Sequence, residues 1–293
     1  MKKEKFIKII IVLIFLLLVI AALVVTYFFN SDVETKEPKK IEDECEIQNY
    51  EYNERKVFVI KQKEKISNKY VLYLHGGSYV AEATENHWDF IEKIVKDTNT
   101  IVIMPDYPLT PKYNYKDVYN MLEPLYKDII QKVGKDNLIL AGDSAGGGLA
   151  LGIYESMAEE NIDLPIKTML ISPWLDVKLD NENIKQVEKN DPILNKETLK
   201  IAGIAYSGSK GTEIYKVSPI KGDLSKLKNI KIFIGTRDIL NPDCKLLQEK
   251  APENEVEIRE YENAKHIWLI DNNSDKEITQ KAYEDFIEQI NNS

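Results

Sequence analysis

Short apolar runs recur between residues 46 and 261, and polar or glycine-rich stretches separate them. The first two runs lie close together, as in an antiparallel pair, whereas the later ones alternate with helical segments such as 119–133. The predicted strands are 46–52, 56–61, 71–74, 101–104, 138–141, 168–171, 232–235 and 256–261. This alternation predicts an α/β fold: a mostly parallel eight-stranded sheet with an antiparallel start and helices on both faces.

The stretch from residue 174 to residue 229 is much longer than a crossover between two strands requires. Within it, 182–188 and 196–206 have helical character, and Asn190, Asp191 and Pro192 divide them. Long insertions of this kind often form lids that exclude water and select substrates. We therefore predict a small helical cap over the site.

Residues 9–29 form an uncharged apolar run of 21 residues, and four lysines precede it. As a helix, such a run would span about 30 Å, the thickness of a hydrocarbon core. A cleaved signal peptide, followed by secretion, is the alternative, although its apolar part is usually about 7–15 residues long. We expect a cytoplasmic basic tip at 1–8, a transmembrane signal anchor at 9–29 and a linker at 30–45. The catalytic domain, 46–293, would then lie outside the cytoplasm.

The domain that follows the apolar run is acidic. The formal net charge of the chain is −9, and without residues 1–8, which carry +3, it becomes −12. Nucleic acid and an electrostatically bound anionic membrane are therefore poor partners, because both require a basic surface. Hydrophobic residues make up 43% of the chain, which is enough for one substantial core and indicates a single folded domain.

The sequence contains no recognisable cofactor or metal motif. Neither an HExxH pattern nor a phosphate-binding loop nor a dinucleotide fingerprint is present, and we expect no cofactor. Cys45 and Cys244 are isolated from one another and lack the spacing of metal ligands. We expect free thiols, although an extracytoplasmic location would permit a bridge.

Residues 138–147 read Leu-Ile-Leu-Ala-Gly-Asp-Ser-Ala-Gly-Gly, which places a GxSxG pattern between an apolar strand and a helical segment. A serine hydroxyl is a poor nucleophile unless a sharp strand-to-helix turn exposes it. Gly142 and Gly146 leave room for that turn and for an approaching substrate. Ser144 is therefore the predicted nucleophile.

A second glycine turn, from His75 to Ser78, follows a predicted strand. In acyl transfer, negative charge develops on the carbonyl oxygen, and unobstructed backbone N–H groups can stabilise it. An ordinary glycine turn would explain this stretch equally well on its own. Its combination with the serine turn favours an oxyanion hole formed by the N–H groups of Gly76, Gly77 and Ala145.

The chain offers three histidines as a general base. His75 belongs to the glycine turn. His87 precedes the serine, in a segment that begins a helix, where we expect a surface or pocket-wall imidazole. His266 follows the last predicted strand and is the base by elimination and by position.

A catalytic histidine needs a carboxylate that fixes its tautomer, and the order serine, acid, histidine places this group between residues 144 and 266. Asp238 lies at the carboxyl end of an apolar strand, where open α/β sheets place their sites. Asp243, five residues further along the same loop, is the alternative. A purely structural role remains open for either.

Together these motifs resemble the hormone-sensitive-lipase-like branch of the α/β-hydrolases, a family of carboxylesterases and deacetylases. The resemblance extends from about residue 70 to residue 268 and includes the segments 106–111, 172–176 and 237–243. It implies a triad of Ser144, Asp238 and His266. The chain departs from the family pattern at Ser78, which replaces the third glycine of the usual HGGG, at Pro108, and at Ile267 and Trp268.

The expected activity is hydrolysis of carboxylic esters through an acyl-enzyme, with short-chain acyl or acetyl esters as substrates. Family members often contribute further cap residues ahead of the first strand. Here that stretch is mostly apolar run and linker, so we predict a smaller, more open acyl pocket. The alternatives are an amidase or peptidase on the same triad, and a catalytically inactive binding module. The expected partners are the small ester substrate and the lipid bilayer around the apolar run.

Overall fold

The computed structural model describes residues 32–38, 44–65 and 67–293. One sheet of eight strands runs in the order β1-β2-β4-β3-β5-β6-β7-β8. The strands are β1 (Cys45–Tyr52), β2 (Arg55–Gln62), β3 (Tyr70–Leu74), β4 (Ile101–Pro105), β5 (Leu138–Asp143), β6 (Lys167–Ile171), β7 (Ile230–Arg237) and β8 (Val256–Lys265). Strand β2 pairs antiparallel with β1 and β4, and the remaining pairings are parallel. The predicted α/β fold with a mostly parallel sheet is confirmed.

Seven α-helices accompany the sheet in the described part of the chain. They are α1 (Glu85–Thr98), α2 (Tyr115–Val133), α3 (Ser144–Glu159), α4 (Ile184–Val187), α5 (Lys196–Ser207), α6 (Asn241–Lys250) and α7 (Lys276–Asn291). Helix α2 begins earlier than the predicted start at residue 119. Asn114 accepts a hydrogen bond from the N–H of Lys116 at 3.0 Å, and Asp117 accepts one from the N–H of Asn114 at 2.9 Å. These caps stabilise an extra turn that the apolar pattern did not reveal.

Apolar side chains on alternate strand positions pack on opposite faces of the sheet. Leu72 and Leu74 of β3 belong to the cluster that contains helices α2, α3 and α6. Val71 and Tyr73 belong to the cluster that contains α1 and α7. This two-residue period within one strand means that both faces are covered, as the sequence predicted.

The insertion between β6 and β7 contains the two helices α4 and α5 and several short 3-10 turns. Helix α4 is shorter than the predicted segment 182–188, whereas α5 matches the predicted segment 196–206 closely. Leu199 and Tyr206 of α5 are buried in the main apolar cluster. Asp191 accepts a hydrogen bond from the N–H of Ile239 at 2.9 Å, so the insertion is joined to the loop that follows β7.

Residues 32–38, here called the strap, lie against the domain although they fall within the predicted linker. Thr35 is 1% exposed, and its N–H donates to Asp106 at 2.8 Å. Arg55 forms ion pairs with Asp32 at 2.7 Å and with Asp106 at 2.9 Å. The indole N–H of Trp88 donates to the carbonyl of Lys36 at 3.1 Å. These contacts fix the place where the chain enters the domain.

The predicted transmembrane helix at 9–29 lies outside the described residues. Within 32–38, 44–65 and 67–293, no helix has the length and apolar character needed to cross a bilayer. Both cysteines are described and buried, and they do not bond to each other. Cys45 lies in the α1–α7 cluster and Cys244 in the cluster on the other face of the sheet.

Candidate active site

Ser144 occupies a sharp turn between β5 and α3 at the carboxyl edge of the sheet. Its backbone has a φ of +51°, a left-handed conformation that costs energy for any residue with a side chain. The turn is crowded: a Cβ at Gly146 would lie 2.0 Å from the carbonyl oxygen of Leu74, and one at Gly142 would lie 2.4 Å from the carbonyl oxygen of Gly146. Glycine is therefore required at both positions, and the strained turn projects the Ser144 hydroxyl from the sheet.

Ser144, His266 and Asp238 form a continuous hydrogen-bonded chain. His266 Nε2 lies 2.9 Å from Ser144 Oγ, and His266 Nδ1 lies 2.8 Å from Asp238 Oδ2. The other carboxylate oxygen of Asp238 accepts the N–H of Leu240 at 2.9 Å, which holds the carboxylate in position. All three side chains are buried, with exposures of 5%, 3% and 0% respectively. This geometry allows His266 to take the serine proton while Asp238 orients the imidazole.

The electrostatics of His266 favour its role as an acceptor of the serine proton. Burial opposes the charged imidazolium, but the charge of Asp238 and its hydrogen bond outweigh burial and raise the pKa of His266 above the ordinary 6.5. The alternative acid, Asp243, lies elsewhere. It accepts a hydrogen bond from Asn181 at 3.0 Å, and burial raises its pKa to about 6. The structure brings Asp238, and not Asp243, to the histidine.

The N–H of Gly76 is already occupied, which changes the predicted oxyanion hole. It donates to Asp143 Oδ1 at 2.9 Å, and a Cβ on Gly76 would lie 2.2 Å from Asp143 Oδ2. Gly76 therefore joins its loop to the serine turn and does not serve as an oxyanion donor. No described residue accepts a hydrogen bond from the N–H of Gly77 or of Ala145, so these two predicted donors remain available.

The backbone beyond Gly76 forms a tight turn, in which the N–H groups of Val80 and Ala81 both donate to the carbonyl of Gly77 at 3.0 Å. Gly77 has a φ of +118°, and a Cβ there would lie 2.5 Å from the carbonyl oxygen of Ala81. Ser78 follows with a φ of +54°. Its N–H likewise has no acceptor among the described residues, which makes Ser78 a further candidate donor. In the sequence, Ser78 is visible only as a departure from the glycine pattern, because the hydrogen bond of Gly76 to Asp143 depends on tertiary contacts.

Asp143, immediately before the nucleophile, is a buried centre of hydrogen bonds that sequence reasoning missed. It accepts from the hydroxyl of Tyr73 at 2.8 Å and from Gly76, and its second oxygen lies 3.4 Å from His87 Nε2. Burial alone would raise the pKa of Asp143, but the electrostatic attraction and hydrogen bond of His87 and the hydrogen bond from Tyr73 outweigh burial and lower that pKa. An ionised Asp143 thus joins β3, β5 and α1 beneath the serine.

The two remaining histidines are buried and have structural contacts. His87, expected as a surface or pocket-wall imidazole, is 4% exposed and caps α1 by accepting the N–H of Thr84 on Nδ1 at 3.0 Å. His75 stacks on Tyr107 with ring centroids 4.4 Å apart, and burial lowers the pKa of His75 to about 4. A threonine at a helix start, followed three residues later by a polar side chain, is typical of such a cap, and Thr84 and His87 have this spacing.

An aromatic stack joins the cap to the loop of the oxyanion donors. Tyr79, two residues beyond Gly77, stacks on Tyr206 of α5 with ring centroids 3.7 Å apart and on Trp174 at 5.4 Å. Because Trp174 begins the insertion and Tyr206 lies in its second helix, the stack holds the cap against the active-site edge of the sheet. Within the described part of the chain, no group of three or more His, Cys, Asp or Glu side chains has the geometry of a metal site.

Comparison with known proteins identifies similar folds and similar sequences. Residues 71–270 match the model of a family described as alpha/beta hydrolase fold. An esterase of Acinetobacter venetianus is 28% identical over 191 residues, covering 64% of this chain and 63% of that protein. An acetyl-hydrolase of Streptomyces hygroscopicus is 24% identical over 201 residues, covering 68% of this chain and 67% of its own. The chain thus spans about two thirds of the length of these relatives.

Solved structures extend the similarity beyond the matched segment. The structure of a proposed esterase from Staphylococcus aureus superimposes with a TM-score of 0.80 and 26% identity, covering 88% of this chain and 86% of that one. A second structure, an esterase from the bacterial hormone-sensitive lipase family, gives a TM-score of 0.79 at 23% identity. At that identity the second comparison concerns the fold alone.

Proposed function

Because the chain belongs to the alpha/beta hydrolase fold family, we propose that it is a serine hydrolase that cleaves carboxylic esters with Ser144, His266 and Asp238. The observation that supports this most directly is the pair of hydrogen bonds, 2.9 Å and 2.8 Å, that connects the three side chains. The printed names of the relatives, an esterase and an acetyl-hydrolase, agree with this reaction.

The proposed reaction is acyl transfer in two steps. His266 Nε2 removes the proton of Ser144 as Oγ attacks the ester carbonyl, and the N–H groups of Gly77 and Ala145 stabilise the oxyanion. The imidazolium, stabilised by Asp238, gives its proton to the departing alcohol as the ester C–O bond breaks. Water then attacks the acyl-enzyme with His266 as base, which releases the carboxylic acid and restores Ser144.

We propose short-chain acyl or acetyl esters as substrates. Ser144 is only 5% exposed, and the stack of Tyr79 on Tyr206 places aromatic rings where the cap meets the oxyanion loop. Both features favour a small acyl group near the nucleophile.

Membrane attachment is part of the same proposal. The 21-residue apolar run at 9–29 would anchor the chain with its amino terminus inside and the domain outside the cytoplasm. Secretion after cleavage of this run is the alternative. Fractionation of the producing cells separates the two, because an anchored protein sediments with the membranes, whereas a cleaved protein lacks residues 9–29 and is released.

The decisive test of the reaction is Ser144→Ala, with Ser209→Ala, an exposed serine of the cap, as the matched control. Loss of the nucleophile should lower turnover of p-nitrophenyl acetate about 10⁶-fold and abolish labelling by a fluorophosphonate, whereas the control should keep both. Retained turnover in a folded Ser144→Ala protein would contradict the proposal. Comparison of the parent on ester and anilide substrates tests the amidase alternative.

A further inference from the structure

The strap enters the domain at the edge of the sheet that carries the triad. Asp106 follows β4 at its carboxyl end, and Arg55 begins the antiparallel strand β2 beside it, where Val57 pairs with Pro105. Asp32 is bound there by Arg55 at 2.7 Å, by Lys112 at 2.7 Å and by the hydroxyl of Tyr113 at 2.8 Å. The triad residues lie at the carboxyl ends of parallel strands in the same sheet, so chain entry and active site share one edge.

Helix α5 of the cap borders the loop between β4 and α2, which carries Lys112 and Tyr113, and exposes an apolar face. Gly208, at its carboxyl end, lies against Asn114, so that a Cβ there would be 3.4 Å from Asn114 Cγ. Ile201 and Ile204 are 70% and 64% exposed, and their spacing of three places them on one side of the helix. On the opposite side, Tyr206 is buried against Tyr79.

Exposed apolar side chains concentrate at this edge. Of the five large hydrophobic residues that the described part of the chain exposes, Ile193, Ile201 and Ile204 belong to the cap. Val80, 41% exposed, follows the tyrosine on which the cap stacks. A cluster of this kind beside an active site is typical of a surface that contacts another apolar phase.

The length of chain ahead of the strap limits what this surface can face. Phe29 ends the apolar run, and only Asn30 and Ser31 separate it from Asp32. Three residue steps span at most about 11 Å, so Asp32 must lie within that distance of the end of the run. If the run is anchored in a bilayer, the edge that binds Asp32 is therefore held at the bilayer surface.

We propose that the apolar face of α5, formed by Ile201 and Ile204, rests on the lipid bilayer and that the active site takes acyl esters resident in that bilayer. This proposal rests on the anchoring and the ester hydrolysis proposed above. Attachment would occur through apolar insertion, because the chain beyond residue 8 carries a formal charge of −12 and gains nothing from an anionic surface.

The first test locates the α5 face relative to lipid without using activity. The full chain is reconstituted into phosphatidylcholine vesicles with or without brominated acyl chains, as Ile204→Trp and as the matched control Glu284→Trp on α7. The native Trp88, Trp174 and Trp268 are 4%, 0% and 1% exposed and give a constant background. Brominated lipid should quench roughly half or more of the emission added by Ile204→Trp and little of that added by the control.

Each outcome of the lipid experiment decides a separate point. Failure of the full chain to float with vesicles would overturn the anchoring and this inference together. If that protein still hydrolyses p-nitrophenyl acetate, the proposed ester hydrolysis is not affected. Flotation with equal, weak quenching at both positions would overturn the docking of α5 alone. A concentration-dependent change in the Ile204→Trp emission in the absence of lipid would assign the face to a second copy of the chain.

The second test compares substrates in the same vesicles. Ile201→Ser with Ile204→Ser removes the apolar face, and Glu284→Ser with Glu288→Ser is the control on exposed positions of α7. Turnover of a long-chain phospholipid that carries one acetyl ester should fall about tenfold in the α5 variant, while p-nitrophenyl acetate in water is hydrolysed within about twofold of the parent rate. An equal loss on both substrates, or none on the lipid ester, would overturn the proposal.

Discussion

Two buried aspartate–histidine pairs flank Ser144, and only one of them has the geometry for catalysis. Asp238 and His266 are 2.8 Å apart, and the far nitrogen of His266 lies against the serine. Asp143 and His87 are 3.4 Å apart, and the far nitrogen of His87 lies against Thr84. Residue type and burial are the same in both pairs, so the difference lies in what the far nitrogen of each imidazole contacts.

The hydrogen-bond partners assign opposite tautomers to the two histidines. In neutral His266, Nδ1 faces a carboxylate and must donate, which leaves Nε2 as an acceptor for the Ser144 proton. In His87, Nδ1 accepts the N–H of Thr84, which places the proton on Nε2, toward Asp143. In both pairs the proton faces the carboxylate, so an Asp–His pair can act as a catalytic base only when the nitrogen remote from the carboxylate contacts the nucleophile.

Of the substitutions that test this comparison, Asp238→Asn should have the largest effect on turnover. An asparagine amide can donate to His266 Nδ1, which would move the proton to Nε2 and give His266 the tautomer that His87 now has. Turnover of p-nitrophenyl acetate should fall about 10⁴-fold with the fold intact. Asp243→Asn is the control, since Asp243 contacts Asn181 and not the histidine, and it should retain turnover.

Asp143→Asn tests the second pair and should cost less. The amide oxygen can still accept from Gly76 and Tyr73, but the negative charge is lost and an NH2 group replaces the oxygen that faces His87 Nε2, so the loop that carries Gly77 is less well fixed. We expect kcat to fall by about 10²-fold, comparable to loss of one oxyanion donor, with KM less affected. Tyr73→Phe, which removes one of the three contacts, should have a smaller effect. An unchanged kcat for Asp143→Asn would show that the oxyanion loop does not depend on this carboxylate.

These two aspartates also mark what the sequence could and could not predict. The glycine pattern around Ser144 and the chain order of Asp238 and His266 predicted three side chains that the structure joins by hydrogen bonds, because the strand-turn-helix geometry and the carboxyl ends of parallel strands follow from local patterns. The role of Asp143 could not be predicted in this way. Its partners, Gly76 and Tyr73, come from β3 and the following loop, and their contact depends on the register between β3 and β5.

The strap is a second example of the same limit. Its polar composition predicted a linker. Residues 32–38 alone do not indicate the buried Arg55–Asp106 pair to which they bind. An arginine at the start of β2 and an aspartate after β4 meet only because those strands are neighbours in the sheet. Side chains that bind across elements distant in sequence are therefore where pattern reasoning fails.

The two pairs should contribute with opposite sign to the pH dependence of folding stability. Because the imidazolium cannot accept the serine proton, kcat/KM should fall about tenfold per pH unit below the pKa of His266. This pKa lies above the ordinary 6.5. The same shift stabilises the folded protein at low pH, and this contribution is lost as pH rises through the folded pKa. The lowered pKa of Asp143 acts in the opposite direction: its stabilisation is present above pH 3.8 and is lost as pH falls through the folded value.

Parallel pH profiles of kcat/KM and thermal unfolding check this assignment. In Asp143→Asn, the acid loss of stability should be reduced, and the midpoint of the activity profile should fall only slightly, because Asp143 contributes less than Asp238 to the raised pKa of His266. A large downward shift of the activity midpoint in that variant would mean that Asp143, and not Asp238, sets the titration of the catalytic histidine.

The smallest effect should come from His87, whose role is structural. His87→Gln retains an acceptor at the third position of α1 for the N–H of Thr84, whereas His87→Ala removes both that cap and the contact with Asp143. We expect His87→Ala to lower the free energy of unfolding by about 1 kcal/mol more than His87→Gln does, which is the usual contribution of a helix cap. Turnover of p-nitrophenyl acetate by His87→Gln should stay within about tenfold of the parent, since His87 accepts no proton from Ser144. A loss as large as that of Asp238→Asn would instead place His87 in the proton path, and the distinction drawn from the tautomers would be wrong.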